Sequence, residues 1–365
     1  MQMLSLCFVA ALAPITRLIP KLNTVQAGHL SWLSPVAAVP VILLYMWYLS
    51  AFIKCRYEGE GLGELILRGA GKVAGRILLA VIAVYFLLYS GFLLLSGADR
   101  YVSTIYHAGK PWPFVAVMLI LGLIAALGKP KALLRLTKTI LPLIITVLAL
   151  VLVFSLTDTQ LGGLLPVTVY DAVPVIKGAV PVIDIVFTVP AIAAFLLFET
   201  DKPTGFKRLA VWGLGVCLVI SLISAAIVGS FGAELTAQLT HPFFIMVRNV
   251  KLFGTIERIE AVIVSLWLFS DFALLSLLII SASHCLRLAF GCIIDYGAPR
   301  LFDMKKGRWL IPACGLVIAA AALLLGDSAP RLEYISQRIV PMMNLALGVI
   351  VLPAVFAVGK IRKTL

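Results

Sequence analysis

The chain has 365 residues, of which 62% are hydrophobic and 13% are charged, and its formal net charge at pH 7 is +13. Soluble globular domains have about 45–50% apolar and about 25% charged residues, so this composition excludes an ordinary soluble protein and predicts a polytopic membrane protein. Cytoplasmic Lys and Arg residues, attracted by anionic lipid, explain the positive charge without a nucleic-acid partner.

Ten hydrophobic runs are long enough to be transmembrane helices. In chain order they are residues 4–20, 32–53, 77–97, 112–128, 136–156, 180–198, 209–231, 259–283, 309–326 and 339–358. The links after the even-numbered runs, together with the C-terminal tail, hold most of the Lys and Arg residues. Because positive residues stay in the cytoplasm, we expect those links and both termini to be cytoplasmic. Arg17 and Arg100 count here as residues of the outer links.

This topology makes the first and sixth runs cross the membrane in opposite directions. We therefore predict one integral membrane domain, all-α, built from two five-helix halves (1–157 and 158–365) as a 5+5 inverted repeat. The long links at 57–75 and 232–255 occupy matching places in the halves, and each can hold a short interfacial helix.

Each leading helix of the two halves contains a proline, Pro14 in the first run and Pro190 in the sixth. A proline removes one backbone hydrogen bond and pushes away a carbonyl group. We predict that helices 1 and 6 are broken there and that the freed backbone groups face a ligand. Ordinary proline kinks are the alternative.

The sixth run also carries Asp184 and, one turn later, Thr188, so both side chains can face one cavity. Asp184 could bind an ammonium group, and amides near Ala13 and Pro14 or near Pro190 could bind a carboxylate. Together these residues predict a site for a zwitterionic amino acid. The alternative is that Asp184 lies at the membrane interface and reaches water.

The eighth run contains Asp271 near its centre, and a carboxyl group at that depth indicates a functional site. It is either kept protonated by desolvation or paired with an intramembrane cation. Glu260, Val264, Trp267 and Asp271 share one helical face, so Asp271 and Glu260 are candidates for ion or proton coupling. A structural hydrogen bond for Asp271 and an interfacial salt bridge for Glu260 are the alternatives.

Aromatic and amide side chains complete the candidate ligand site. Tyr85 and Tyr89 share a face of the third helix with Phe92 and could form a wall over the ligand, or could simply pack. Asn344 in the tenth helix follows Pro341, and it could contact the ligand or join helices.

No pattern in the sequence predicts an enzyme. There is no phosphate-binding loop, no nucleophile with a paired base and no cluster of metal ligands, so we expect no catalytic residue, metal or cofactor. The six cysteines are expected to be reduced thiols, and the four histidines lie in links or at helix ends.

Residues 241–272 resemble the signature of the endospore germination permease family, and residues 27–38 and 110–144 resemble two further family segments. The signature residues are Pro242, Val247, Arg248, Glu257, Arg258, Glu260 and Trp267. The resemblance implies the ten-helix amino-acid permease architecture of LeuT-type transporters. It also implies the B subunit of a nutrient germinant receptor in the spore inner membrane, beside a large membrane subunit and a lipoprotein.

Two functional hypotheses follow from the site and the resemblance. The first is a receptor subunit that binds a nutrient, an L-amino acid above all, and changes shape to trigger germination. The second is a proton-coupled amino-acid symporter of the same fold that uses Asp271 or Glu260. A conduit for ions or water, opened by the ligand, is a third and minor hypothesis.

Overall fold

A computed structural model of the chain describes residues 2–104, 110–157, 159, 161–200, 204–249, 259–291, 309–326 and 328–364. Within these residues every regular element is helical. The first half contains the helices α1 (Gln2–Ala27), α2 (Ser34–Lys54), α3 (Leu62–Ala70), α4 (Lys72–Thr104), α5 (Trp112–Leu127) and α6 (Pro130–Thr157).

The second half continues the pattern with a more irregular last segment. Its helices are α7 (Ala172–Ala193), α8 (Phe206–Gln238), α9 (Pro242–Asn249), α10 (Ile259–Ala289), α11 (Leu310–Leu325), α12 (Ala329–Tyr334), α13 (Val340–Leu345) and α14 (Leu352–Ile361). Short 3-10 helices precede α7 at Val169–Asp171 and follow it at Ala194–Glu199.

Seven of the described segments are long and apolar enough to cross a bilayer. The first of them, Gln2–Lys54, contains both α1 and α2, which a 3-10 turn at Gly28–Leu33 connects. Gly28 adopts a φ of +58°, a conformation that glycine reaches without a steric penalty. The helices α5 and α11 are apolar but shorter. The chain is therefore a multi-pass membrane protein.

Helix α1 lies at the centre of the bundle, where it contacts α6, α7, α8 and α10. Most of its side chains are buried, including the apolar residues from Val9 to Ile15. The most extensive packing in the described structure joins α4 with α10, α1 with α7 and α2 with α8. Close approach of α7 to α2 depends on Gly178, since a Cβ atom there would lie 2.3 Å from the Ser34 Oγ atom.

The prediction of a short helix in each long link is confirmed by α3 and α9. Helix α3 is largely buried against α4, α10 and α14. The outer link was expected to begin at Gly232, and α8 kinks at that residue, where φ is +75°, before continuing to Gln238.

The last apolar segment, Pro330–Ile361, alternates between α-helical and π-helical winding. Its two π-helical stretches are Ile335–Ile339 and Ala346–Val351. Each lies just before a proline, Pro341 or Pro353, whose ring would otherwise clash with a carbonyl of the preceding turn. Wider winding accommodates that clash, and it leaves Asn344 in the short helix between the two π-helical stretches.

Candidate functional site

Asp184 lies inside the bundle and joins three helices. Its side chain is on α7 and is 4% exposed. The Asn344 Nδ2 atom donates a hydrogen bond of 3.2 Å to Asp184 Oδ2, and the Tyr85 hydroxyl of α4 donates to Asn344 Oδ1. These contacts bring together Asp184, Tyr85 and Asn344, which the sequence predicted as separate candidates.

Two polar atoms at this point have no hydrogen-bond partner among the described residues. They are Asp184 Oδ1 and the hydroxyl of Thr188, one turn further along α7 and 3% exposed. A buried polar group without a partner loses about 1–3 kcal/mol of stability. A ligand that donates hydrogen bonds to both atoms would offset that loss.

Aromatic rings form one side of this region, as the spacing on the third helix predicted. Tyr85 stacks on Tyr89 with ring centroids 5.9 Å apart, and Tyr89 stacks on Phe92 at 6.3 Å. Three residues after Asp184 in α7, Phe187 stacks on Tyr45 with ring centroids 3.7 Å apart, and Tyr45 donates a hydrogen bond to the Phe187 carbonyl. The hydrogen-bonded group of Asp184, Asn344 and Tyr85 therefore continues into a stack of aromatic rings on α4.

The prediction that helix 1 is broken at Pro14 is wrong, because α1 is continuous from Gln2 to Ala27. Its backbone is nevertheless altered in the preceding turn. Ser270 of α10 accepts a 2.7 Å hydrogen bond from the Ala13 amide and donates one to the Val9 carbonyl. The serine hydroxyl thus bridges two groups that an ordinary α-helix joins directly, and it compensates the helix near the proline.

A second contact from α10 supports the same turn. The Trp267 Nε1 atom donates a 2.8 Å hydrogen bond to Thr16 Oγ1, and the Thr16 hydroxyl donates to the Leu12 carbonyl at 2.9 Å. Trp267 belongs to the segment that resembles the family signature. Its hydrogen bond to α1 gives Trp267 a structural role, which the spacing of the signature residues did not predict.

The prediction that helix 6 is broken at Pro190 is also wrong. Helix α7 continues through Pro190 to Ala193 and then tightens into the 3-10 helix Ala194–Glu199. Arg56 stabilises the end of that 3-10 helix with hydrogen bonds of 2.8 Å to the Leu197 carbonyl and 2.7 Å to the Thr200 carbonyl. The change from α-helical to 3-10 winding therefore begins one turn after the proline, and Arg56 binds the carbonyl groups that are left free at the end of the 3-10 helix.

Asp271 is paired with an intramembrane cation, one of the two alternatives predicted for it. Its Oδ2 atom forms a buried salt bridge with Arg100, whose guanidinium also lies 5.1 Å from the centre of the Phe244 ring. Arg100 was assigned to an outer link, but it lies within α4 and is fully buried. Asp271 therefore connects α10 to α4 through a charge pair.

Several predicted residues have other placements. The side chain of Glu260 and the signature residues Glu257 and Arg258 lie outside the described residues. Pro242 and Arg248 belong to α9, where Pro242 is buried and Arg248 is exposed.

The C-terminal end of α10 contacts a second buried acidic group. Glu64 of α3 lies 3.1 Å from the His284 Nε2 atom and accepts a 2.9 Å hydrogen bond from the Gly61 amide. Burial raises the pKa of Glu64, but the charge and hydrogen bond of His284 and the backbone amides outweigh burial and bring the pKa below the usual 4.5. The sequence predicts no catalytic part for His284, which the structure places in this contact.

Sequence reasoning missed Arg17, which was assigned to an outer link. It lies in α1, is 4% exposed, donates to Ser96 Oγ and stands 5.2 Å above the centre of the Phe92 ring. Its position inside the first apolar run, three residues after Pro14, was the available signal, since ionisable residues within membrane helices are most often functional.

Comparison with known proteins agrees with the membrane architecture and with the α10 segment. A family model described as "Spore germination protein" matches residues 1–325. The chain belongs to this family. A curated relative, "Putative spore germination protein YfkT" of Bacillus subtilis (strain 168), is 20% identical over 254 residues, which cover 68% of each chain. Both the central helix α1 and the Asp184 region on α7 fall within the part of the chain that the family model matches.

Proposed function

We propose that this spore germination protein is the nutrient-binding, permease-like subunit of a germinant receptor and that it binds a small amine-containing nutrient at Asp184. The observation that carries the proposal is the buried carboxyl group of Asp184, whose Oδ1 atom lacks a partner beside the similarly unpartnered hydroxyl of Thr188. An ammonium group supplies the charge and the hydrogen-bond donors that these two atoms need. An L-amino acid is the nutrient class that we propose.

The helix arrangement supports a ten-helix 5+5 inverted repeat of LeuT type. Counting α1 and α2 separately, and adding the shorter α5 and α11 to the other long segments, gives ten apolar segments at the predicted places. The extensive packing of α1 with α7, α2 with α8 and α4 with α10 pairs each helix with its counterpart in the other half. Such pairing is expected when two inverted halves meet around a central axis.

In this arrangement Asp184, Tyr85 and Asn344 connect the two halves and the last segment. An ammonium group at Asp184 Oδ1 would draw charge away from the hydrogen bond that Oδ2 accepts from the Asn344 amide, and so change the contacts between α4, α7 and α13. Differential binding to two arrangements of these helices is the physical basis of a signal. The α-helix and π-helix alternation around Asn344 provides a segment that can change its winding.

The receptor setting extends this proposal to partners and location. We propose that the protein acts in the spore inner membrane with both termini in the cytoplasm, beside a large membrane germination subunit and a germination lipoprotein. Its role is binding and signalling, and no chemical step is proposed for it.

A proton-coupled amino-acid symporter is the second candidate. Proton coupling needs a buried carboxyl group that can take up and release a proton, and Asp184 fits this role because no salt bridge to it is found among the described residues. Asp271, in contrast, already has Arg100 as its partner. Uptake of a labelled amino acid into proteoliposomes that contain only this chain would support the symporter. Binding without uptake would support the receptor subunit.

The direct test of the receptor function uses spores that lack this gene. Their germination is measured against a panel of amino acids, sugars and nucleosides, beside spores that carry the gene. We expect loss of the response to one or a few amino acids. Unchanged responses to every amino acid in the panel would refute the proposal.

A further inference from the structure

We propose that the protein has a second ligand site, in which Arg17 binds the carboxylate of a small α-amino acid. The site is a cavity of about 210 Å³ between α1, α4 and the start of the last segment, here called the Arg17 cavity. Its lining includes Arg17, Lys21, Phe92, Asp99, His241 and Glu333. A water molecule needs roughly 10–15 Å³ of such volume, so the cavity has room for a small amino acid.

The guanidinium of Arg17 has one used edge and one unused edge. Its Nη1 atom donates to Ser96, whereas Nε and Nη2 are buried and have no hydrogen-bond partner among the described residues. Nε and Nη2 are adjacent donors that can hold both oxygens of a carboxylate at once. The protein therefore compensates only part of the free-energy cost of burying this cation, and a bound carboxylate would compensate the rest.

Asp99, which also lines the cavity, can accept a positive charge. Asp99 has a side chain that is 40% exposed and lies 3.5 Å from the His241 Nε2 atom. Burial lowers the pKa of His241 below its ordinary value of 6.5, against the opposing effect of Asp99, so His241 is mostly neutral at pH 7. Lys21 and Glu333 neutralise each other in a salt bridge. The negative charge of Asp99 therefore remains available for the ammonium group of a zwitterion.

The Arg17 cavity and the Asp184 region are separate but share one aromatic stack. Phe92 lines the cavity and stacks on Tyr89, which stacks on Tyr85, the residue that binds Asn344. Occupancy of the cavity can thus be transmitted to Asp184 through packed rings. The choice of an amino acid as the ligand rests on the proposed function, whereas the carboxylate site rests on Arg17 itself.

The experiment measures the thermal stability of the full-length protein in lipid nanodiscs with each of the twenty standard L-amino acids. Every amino acid that raises the melting temperature is compared with its carboxamide, which lacks the carboxylate. The proteins are the wild type, Asp184→Asn, Arg17→Gln and Arg17→Lys, with Lys138→Gln as a control that removes an exposed cation outside the cavity.

We expect at least one amino acid to stabilise both the wild type and Asp184→Asn, and its carboxamide to have no effect. The concentration needed should rise at least tenfold in Arg17→Gln and in Arg17→Lys, which keeps the charge but loses the paired donors. It should rise less than threefold in Lys138→Gln. The comparison with the carboxamide in the Asp184→Asn protein needs no Arg17 variant, so equal stabilisation by the carboxamide would refute the site even if the Arg17 variants do not fold.

Three results would overturn the inference. They are the absence of any stabilising amino acid in the Asp184→Asn protein, equal stabilisation by the carboxamide, and unchanged affinity in Arg17→Gln. Loss of binding in Asp184→Asn together with normal binding in Arg17→Gln would refute the Arg17 site and leave the Asp184 site supported. Failure of Asp184 variants to change germination would refute the Asp184 site alone.

Discussion

The buried pair of Arg100 and Asp271 allows a quantitative test of how α4 and α10 are held together. Both side chains are almost completely removed from solvent, at 0% and 4% exposure. Removal of one partner leaves an uncompensated buried charge, which in proteins destabilises by about 3–5 kcal/mol. We therefore expect Arg100→Met and Asp271→Leu each to lower the free energy of unfolding by about that amount.

Removal of both partners should be much less harmful. A buried ion pair replaced by apolar residues of similar volume is often neutral for stability, so we expect the Arg100→Met/Asp271→Leu protein to be more stable than either single variant. The assay is denaturant unfolding of the purified proteins in the same detergent, analysed as a double-mutant cycle. A double variant whose loss equals the sum of the single losses would refute the charge pair.

Three further predictions concern local structure, each with a matched control. Ser270→Ala removes the hydroxyl that bridges the Val9 carbonyl and the Ala13 amide, so it should destabilise the protein by about 1–3 kcal/mol in the same unfolding assay. Ser276→Ala should be nearly neutral, because it removes a buried hydroxyl that has no partner among the described residues. The folded-state pKa of Glu64 lies below 4.5, so the ionised carboxylate stabilises the folded protein above pH 4.5, and this stabilisation is lost as pH falls through the folded-state pKa. Glu64→Gln should therefore weaken the fall in the free energy of unfolding at acid pH. An unchanged fall in that variant would contradict the prediction. Gly178→Ala should destabilise the protein by about 1–3 kcal/mol through overpacking. Gly215→Ala should not, because no atom lies within 4 Å of its Cβ position. Equal effects of the two substitutions would contradict the close approach of α7 and α2.

Hydropathy located the membrane segments because a spanning helix needs about 20 apolar residues. It placed charged residues poorly. Arg17 and Arg100 were assigned to outer links, since a charged residue usually marks the end of an apolar run. Both are buried inside helices, and only their partners, Ser96 and Asp271, show why the membrane interior tolerates them.

Proline had a similar limit as a signal. A proline in a helix predicts a missing backbone hydrogen bond, but whether the helix unwinds depends on what its neighbours offer. Ser270 bridges the turn before Pro14, and the residue that performs this role lies more than 250 positions away in the sequence. Single-sequence patterns carry no information about such a contact, whereas the shared face of Tyr85 and Tyr89 could be predicted because it depends on helical spacing alone.

The central claim is that Asp184 binds the nutrient, and germination itself measures it most directly. Spores that carry Asp184→Asn are compared with wild-type spores and with spores carrying Asp171→Asn, which changes a carboxyl group of intermediate exposure just before the same helix. The stimulus is the amino acid to which spores lacking the gene fail to respond. We predict that Asp184→Asn raises the amino-acid concentration for half-maximal germination at least tenfold at an unchanged protein level, because loss of one charged hydrogen bond weakens binding by about 1.5–3 kcal/mol. Asp171→Asn should leave that concentration within about twofold of the wild type. A dose response of the Asp184→Asn spores that coincides with the wild type would contradict the claim.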